Sequence, residues 1–368
     1  MNKVKSFLRR EPVLVIATLA ATVSCFFVPP DAAYLDYFDL RTLALLYSLM
    51  VVIAGLRKAG VFTSLANALC GRAKSTRAIG VMLVSLCFFS SMLITNDVAL
   101  LTFVPFTVIV LGMAGRGQDL IRVIVLETVA SNLGSMLTPV GNPQNLYLYS
   151  FYGLSPLDFL RATAPVWALS LVLVLGCCLF LPKAALTVGE VGKSKLGVPS
   201  LCTYGALFLV CLLTVLRVLP WPVMLGVLLV ALLIFDRRTL LSADFMLLLT
   251  IVAFFIFAGN LARVDAVSDL LRRLLAGREY FVALASSQVI SNVPAALLLS
   301  GFTENAKALL LGVNVGGLGT PIASLASLIS LKLYSRTEHA KTGKFLLEFT
   351  VANLLLLAAL SAAALLLL

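Results

Sequence analysis

Asn96 and Asp97 stand side by side in "SSMLITNDVA" (90–99), between two long apolar runs with no glycine, proline or charge cluster to mark a surface loop. An asparagine offers a carbonyl oxygen and an amide, and the nearby Ser91 and Thr95 offer hydroxyls. Such an oxygen-rich, sulfur-free set suits a hard cation such as Na⁺ better than a transition metal. A carboxylate at membrane depth is costly, which makes Asp97 a functional candidate, either as a direct Na⁺ ligand or as the carrier of a coupling proton. The alternative is a carboxylate held by neighbouring amides for structure alone.

A second stretch, "SSQVISNVPA" (286–295), aligns on the first without gaps, so that Ser287, Ser291 and Asn292 take the places of Ser91, Thr95 and Asn96. Asp97 has Val293 opposite it, so the two sites are chemically unequal. Downstream, "NLGSMLTPVGN" (132–142) aligns on "NVGGLGTPIAS" (314–324). Glycine and proline at Gly134, Pro139, Gly141 and Pro143, and again at Gly316, Gly317, Gly319 and Pro321, cannot sustain a helix. The polar residues around these breaks are Asn132, Thr138, Asn142 and Asn145 in the first, and Asn314 and Thr320 in the second. Unpaired backbone groups at membrane depth are tolerated only where protein, water or ligand satisfies them. The carbonyl end of a broken helix favours cations and the amide end favours anionic groups. Two tips and two breaks therefore make a substrate and ion site, with Asn96, Asp97 and Asn292 as its Na⁺ ligands and no catalytic residue.

The elements that must position these residues follow from composition. With 61% hydrophobic and 12% charged residues, the chain is far more apolar than a soluble domain. It reads as an all-α polytopic membrane protein in the lipid bilayer. Simple spans are expected at 13–28, 41–56, 164–181, 199–216, 221–235, 243–262 and 345–367. The hairpin 78–115 folds into two helices of about 17 residues, some 26 Å each against a ~30 Å hydrocarbon core, so its tip stops inside the membrane. With a second hairpin at 280–303 and broken helices at 118–152 and 306–334, the chain reads as an inverted repeat. The halves are 1–182 and 220–368, joined by a linker and span at 183–219. Basic residues cluster in alternate loops, which puts the N-terminus in the cytoplasm, the C-terminus outside, and the protein in the cytoplasmic (inner) membrane. On that count the first hairpin opens inward and the second outward.

Several functions are excluded on the same grounds. The net charge of +11 resides in short loops rather than on one basic face, which argues against nucleic acid. Seven cysteines without metal-type spacing and a single histidine, His339, indicate neither zinc nor a disulfide framework, and no cofactor is called for. A membrane-embedded enzyme lacks the cluster it would need. Glu127 reads as a helix-end carboxylate near Arg122 or Arg116, with a site role as the alternative.

The motifs at 86–146 and 286–325 resemble those of the ion transporter superfamily, which includes divalent anion–sodium symporters, citrate permeases, arsenite permeases and one type of sodium–proton antiporter. The resemblance implies homodimers, an elevator motion of the hairpin-bearing domain, and paired sites. The first would use Thr95, Asn96 and the Gly134–Asn145 break, the second Ser291, Asn292 and the Gly316–Ser324 break. Carboxylate symporters carry threonine at the third tip position. Asp97 and Val293 there make this chain more similar to the arsenite-permease and antiporter branches. The expectation is an ion-coupled secondary transporter for a small anion or oxyacid. The alternatives are a sodium–proton antiporter or arsenite/antimonite efflux permease using Asp97 and, more remotely, an ion channel.

Overall fold

The computed structural model describes residues 11–70, 73–185, 197–338 and 340–368. The basic positions Lys3, Lys5, Arg9, Arg10, Arg72, Lys193 and Lys195, and His339, lie outside the described residues, as does the side chain of Cys70. Among the described residues the regular elements are helical, apart from one isolated bridge between Ser75 and Ala185. Eight described helices are long and apolar enough to cross a membrane. Large apolar side chains such as Phe26, Val172, Phe180 and Ile234 point outward, as a lipid-facing surface requires.

The first half begins with α1 (Pro12–Phe27), α2 (Leu40–Lys58) and a short α3 (Val61–Cys70). A hairpin follows, α4 (Thr76–Ile94) and α5 (Asn96–Met113), then a broken helix, α6 (Leu120–Gly134) and α7 (Pro143–Phe151), and then α8 (Pro156–Cys178). After the connecting α9 (Val198–Val215) the order repeats. The second half comprises α10 (Trp221–Phe235), α11 (Phe245–Ala262), α12 (Asp265–Leu275), a hairpin α13 (Glu279–Ile290) and α14 (Asn292–Leu299), a broken helix α15 (Ala306–Val315) and α16 (Leu325–Ser335), and α17 (Thr342–Leu365). Side-chain caps set several starts: Ser75 accepts from Ala78 N at 3.2 Å, Asn142 from Asn145 N at 2.9 Å and Asp244 from Leu247 N at 3.0 Å. The span expected at 164–181 begins earlier, at Pro156. Ser155 caps it by accepting from Asp158 N at 3.1 Å, and Pro156 at the first helical position lacks only an N–H that has no partner there anyway.

Packing repeats as the sequence does. α4 lies on α6, and α13 lies on α15. Beyond each break the chain crosses over, so that α7 packs on α14 and α16 packs on α5. The hairpins open at opposite ends of the molecule. At the base of the first, Arg77 Nε donates to Leu181 O at 2.9 Å and Thr76 N to Ala184 O at 2.9 Å, and α6 then starts where Arg122 meets Glu348 near the N-terminus of α17. At the base of the second, Tyr280 Oη donates to Ser361 Oγ at 2.9 Å, near the C-terminus of the same helix. A helix of 24 residues is about 36 Å long at ~1.5 Å per residue, enough to separate the two bases by the depth of a membrane.

Outside this core, α1 packs on α11, and α9 and α10 pack on α2. Two ion pairs at equivalent places tie these helices at opposite ends. Lys58 at the end of α2 meets Asp236 after α10 at 2.8 Å, and Arg263 after α11 meets Asp31 after α1 at 2.6 Å. The Lys58 ammonium, followed by the Thr239 hydroxyl, holds the Asp236 carboxyl down to about 2, and Arg263 likewise lowers that of Asp31.

Candidate functional site

Each hairpin turns on one residue with positive φ, Thr95 at 66° and Ser291 at 73°, positions where a β-carbon is strained. Both tips end against a break rather than at the surface. Ser131 Oγ donates to Asn96 O at 2.8 Å, and Asn292 N donates to Ala323 O at 3.0 Å. Close approach of hairpin to broken helix needs a glycine on each side. A β-carbon at Gly134 would lie 2.0 Å from Phe88 O, and one at Gly316 would lie 2.9 Å from Leu284 Cα. Phe88 and Leu284 are themselves equivalent in the repeat. Thr138 and Thr320 repeat a further bond, donating through Oγ1 to Met92 O and to Gln288 O.

Amides and hydroxyls join the two breaks. Asn132 Oδ1 accepts from Asn96 Nδ2 at 3.1 Å and from Ser324 Oγ at 2.9 Å, while Asn132 Nδ2 donates to Ser327 Oγ at 3.3 Å. Asn142 Nδ2 donates to Ser135 Oγ at 3.0 Å and to Asn314 Oδ1 at 3.2 Å, and Asn314 Nδ2 donates to Asn145 Oδ1 at 2.6 Å. All of these groups are buried, where an unmet amide is costly, so the network holds the first tip and the two breaks as one unit.

Not every sequence candidate joins that network. Ser91 and Ser287 turn back to Phe88 O and Ala283 O of their own helices, at 2.9 and 2.8 Å. Pro139 and Gly141 form a short 3₁₀ turn, in which a β-carbon on Gly141 would lie 2.0 Å from Ser135 O. Gly317 leaves room for the Asn292 amide, and Pro321 begins the return of the second break. Reading Glu127 as a helix-end partner of Arg122 or Arg116 is corrected. Arg116 pairs with Asp119 at 2.6 Å and Arg122 with Glu348 at 3.8 Å, whereas Glu127 is fully buried and its Oε1 accepts from Thr107 Oγ1 at 2.6 Å. Sequence reasoning missed Ser131, Gln288 and Ser327, and included Ser135 and Ser324 only as parts of the two breaks. For Gln288 the available signal was an amide standing opposite Met92 in otherwise apolar aligned positions.

A cavity of about 170 Å³ reaches the first tip. One wall is Thr95, Asp97, Val98 and Asn142 from the core, and the other is Leu46, Leu49, Met50 and Ile53 of α2 with Leu247 of α11. Its mouth carries exposed Arg57, Ser242 and Asp244. None of the described residues of the second tip or second break lines it. Asp97 Oδ1 is buried there, with no hydrogen-bond partner among the described residues. A carboxylate that lines a cavity, with one oxygen unmatched among the described residues, can accept from a solute or bind a cation.

The family model described as "Citrate transporter" matches residues 5–308. The chain is 33% identical over 310 residues to an uncharacterized transporter of Methanocaldococcus jannaschii, covering 83% of this chain and 84% of that one. It is 32% identical over 313 residues to an inner membrane protein of Escherichia coli K12, covering 84% of each. A silicon efflux transporter of Oryza sativa subsp. japonica matches at 32% over 152 residues, 40% of this chain and 30% of that one. The repeated hairpins and breaks and these likenesses agree: the chain belongs to the citrate transporter family of the ion transporter superfamily, and it is a multi-pass membrane transporter.

Proposed function

We propose that this protein is a secondary active transporter that carries a small, weakly charged oxyacid, with Asp97 as the group that couples transport to a cation. The observation that carries this reading is the cavity at the first tip, where Asp97 presents a buried oxygen without a partner. Two carboxylates, Asp97 and Asp244, line that cavity with one guanidinium, Arg57. A polycarboxylate such as citrate would meet more negative than positive charge, whereas an uncharged oxyacid could exchange hydrogen bonds with Thr95, Asp97 and Asn142. The likeness to a silicon efflux transporter supports the same substrate class.

Alternating access by an elevator motion fits the two unlike walls. The core side is polar and tied together by the asparagine network, and the α2 side is apolar. With the N-terminus in the cytoplasm, the mouth at Arg57 and Asp244 faces inward and this is the inward-open state. A second reading, sodium–proton antiport, is favoured by Asp97 as well. Proteoliposomes loaded with ²²Na⁺ or a pH dye, with silicic acid, arsenite, citrate or no solute, separate the two. Cation flux that depends on an oxyacid is expected. Sodium–proton exchange that needs no solute overturns the substrate reading.

A further inference from the structure

The resemblance to sodium-coupled transporters brings a specific requirement: carbonyl oxygens at the helix breaks left free to surround a bare cation. In the second break Gly316 O and Leu318 O are taken. Gln288 of α13 inserts its carboxamide among them, with Nε2 donating to Gly316 O at 2.7 Å and to Leu318 O at 2.9 Å, and lying 3.3 Å from Leu284 O of its own helix. Its Oε1 accepts from Thr320 N at 2.9 Å. The seat is built for this side chain, because Gly319 stands at φ 103° and a β-carbon there would lie 2.3 Å from Gln288 Oε1.

The first break is closed in the same manner by a different residue. Asn145 of α7, fully buried, points Nδ2 at Ser135 O, Met136 O and Thr138 O, each at 3.3 Å. The repeat does not explain the coincidence: Gln288 aligns with Met92, and Asn145 aligns with Ser327. Two unrelated side chains, one from the hairpin before the break and one from the half-helix after it, do the same job. Both put the positive hydrogens of an amide where carbonyl dipoles converge.

We infer that the amides of Asn145 and Gln288 stand in for alkali cations at the two helix breaks, so that neither break binds sodium. The inference deepens the transport reading above and rests on it for its meaning. A neutral amide satisfies the carbonyls without adding charge, so the breaks contribute no cation to attract a polyanion, in keeping with a weakly charged substrate.

The test counts sodium directly on purified full-length protein in an Asp97→Asn background, so that a cation held by that carboxylate is not counted. Equilibrium binding of ²²Na⁺ is measured alongside Tm in sodium and choline chloride. Asp97→Asn is expected to show no saturable Na⁺ and equal Tm in the two salts. Adding Gln288→Ala opens the second cage, with about one Na⁺ gained per chain and, by ligand linkage, a Tm that rises with sodium. Saturable Na⁺ on Asp97→Asn alone overturns the inference, as does a folded double variant that gains none. Should the double variant not fold, the single variant decides by the same criterion. Loss of oxyacid flux in the transport assay bears on the earlier reading and leaves this count unaffected.

Discussion

At the first tip, Thr95 at φ 66° leads into Asn96 and Asp97; at the second, Ser291 at φ 73° leads into Asn292 and Val293. The two share a backbone turn, a threonine bond from break to hairpin and a glycine against the hairpin helix. They differ in what the turn presents. Asp97 lines the cavity, while Val293 is buried, 5% exposed. Duplication has kept the frame, which backbone geometry demands, and left the side chains free to diverge. On the transport reading proposed above, the first tip carries the coupling group and the second braces it.

The largest expected effect on transport tests that division. Asp97→Asn should lower coupled transport at least about tenfold, equivalent to about 1.4 kcal/mol, while the purified protein keeps its Tm. Val293→Thr should leave flux within about twofold, less than 0.5 kcal/mol. Equal losses in the two variants would end the claim of one active tip.

Next comes the shared frame. Gly134→Ala places a methyl 2.0 Å from a backbone oxygen of α4, and overpacking of this kind costs about 1–3 kcal/mol or more, read as a fall in Tm or as loss of folded protein. Gly316→Ala should cost the same order, because its β-carbon would lie 2.5 Å from Gly312 O and 2.9 Å from Leu284 Cα. A benign result at either site would show that the two halves do not share this approach.

Asn132→Ala should cost about 1–3 kcal/mol, since Asn96, Ser324 and Ser327 lose a buried partner. A matching loss of flux would show that the network moves as one body, whereas lowered stability with normal flux would restrict it to folding.

Smallest is the clasp at Lys58, where an exposed pair contributes about 0.2–1 kcal/mol. The folded-state value of Asp236 lies below its ordinary 3.8, so its contribution is present above that pH and is lost as pH falls towards about 2. Lys58→Ala should therefore lower Tm slightly at pH 7 and not at pH 2, which denaturation scans at both pH values can check.

Much of this arrangement was legible before any coordinates. Hydropathy located the spans to within a few residues, except α8. Its start at Pro156 lies in a stretch, "PLDFLRATAP", whose charges and prolines hide a helix that its Ser155 cap and first-turn proline nevertheless begin. The tips and breaks were legible because Asn, Gly and Pro in an apolar run leave backbone groups that something must satisfy. Glu127 was misread since nothing local distinguishes a carboxylate near arginines from one that reaches Thr107, a contact made 20 positions away on another helix. Ser131 and Ser327 escaped notice because serine in an apolar helix most often bonds its own backbone.

Sequence by itself determined that this chain lies in a bilayer, that its motif is duplicated, and that four apolar stretches are interrupted. These follow from local composition and from the fixed needs of the peptide group. Only the tertiary structure decided which groups meet those needs. Asn145 and Gln288 donate to break carbonyls that spacing alone left open, and Asp97 lines a cavity whose other wall comes from α2 and α11. The physical reason is that a buried amide or carboxylate is defined by its partners, and here those partners come from helices far apart in the chain.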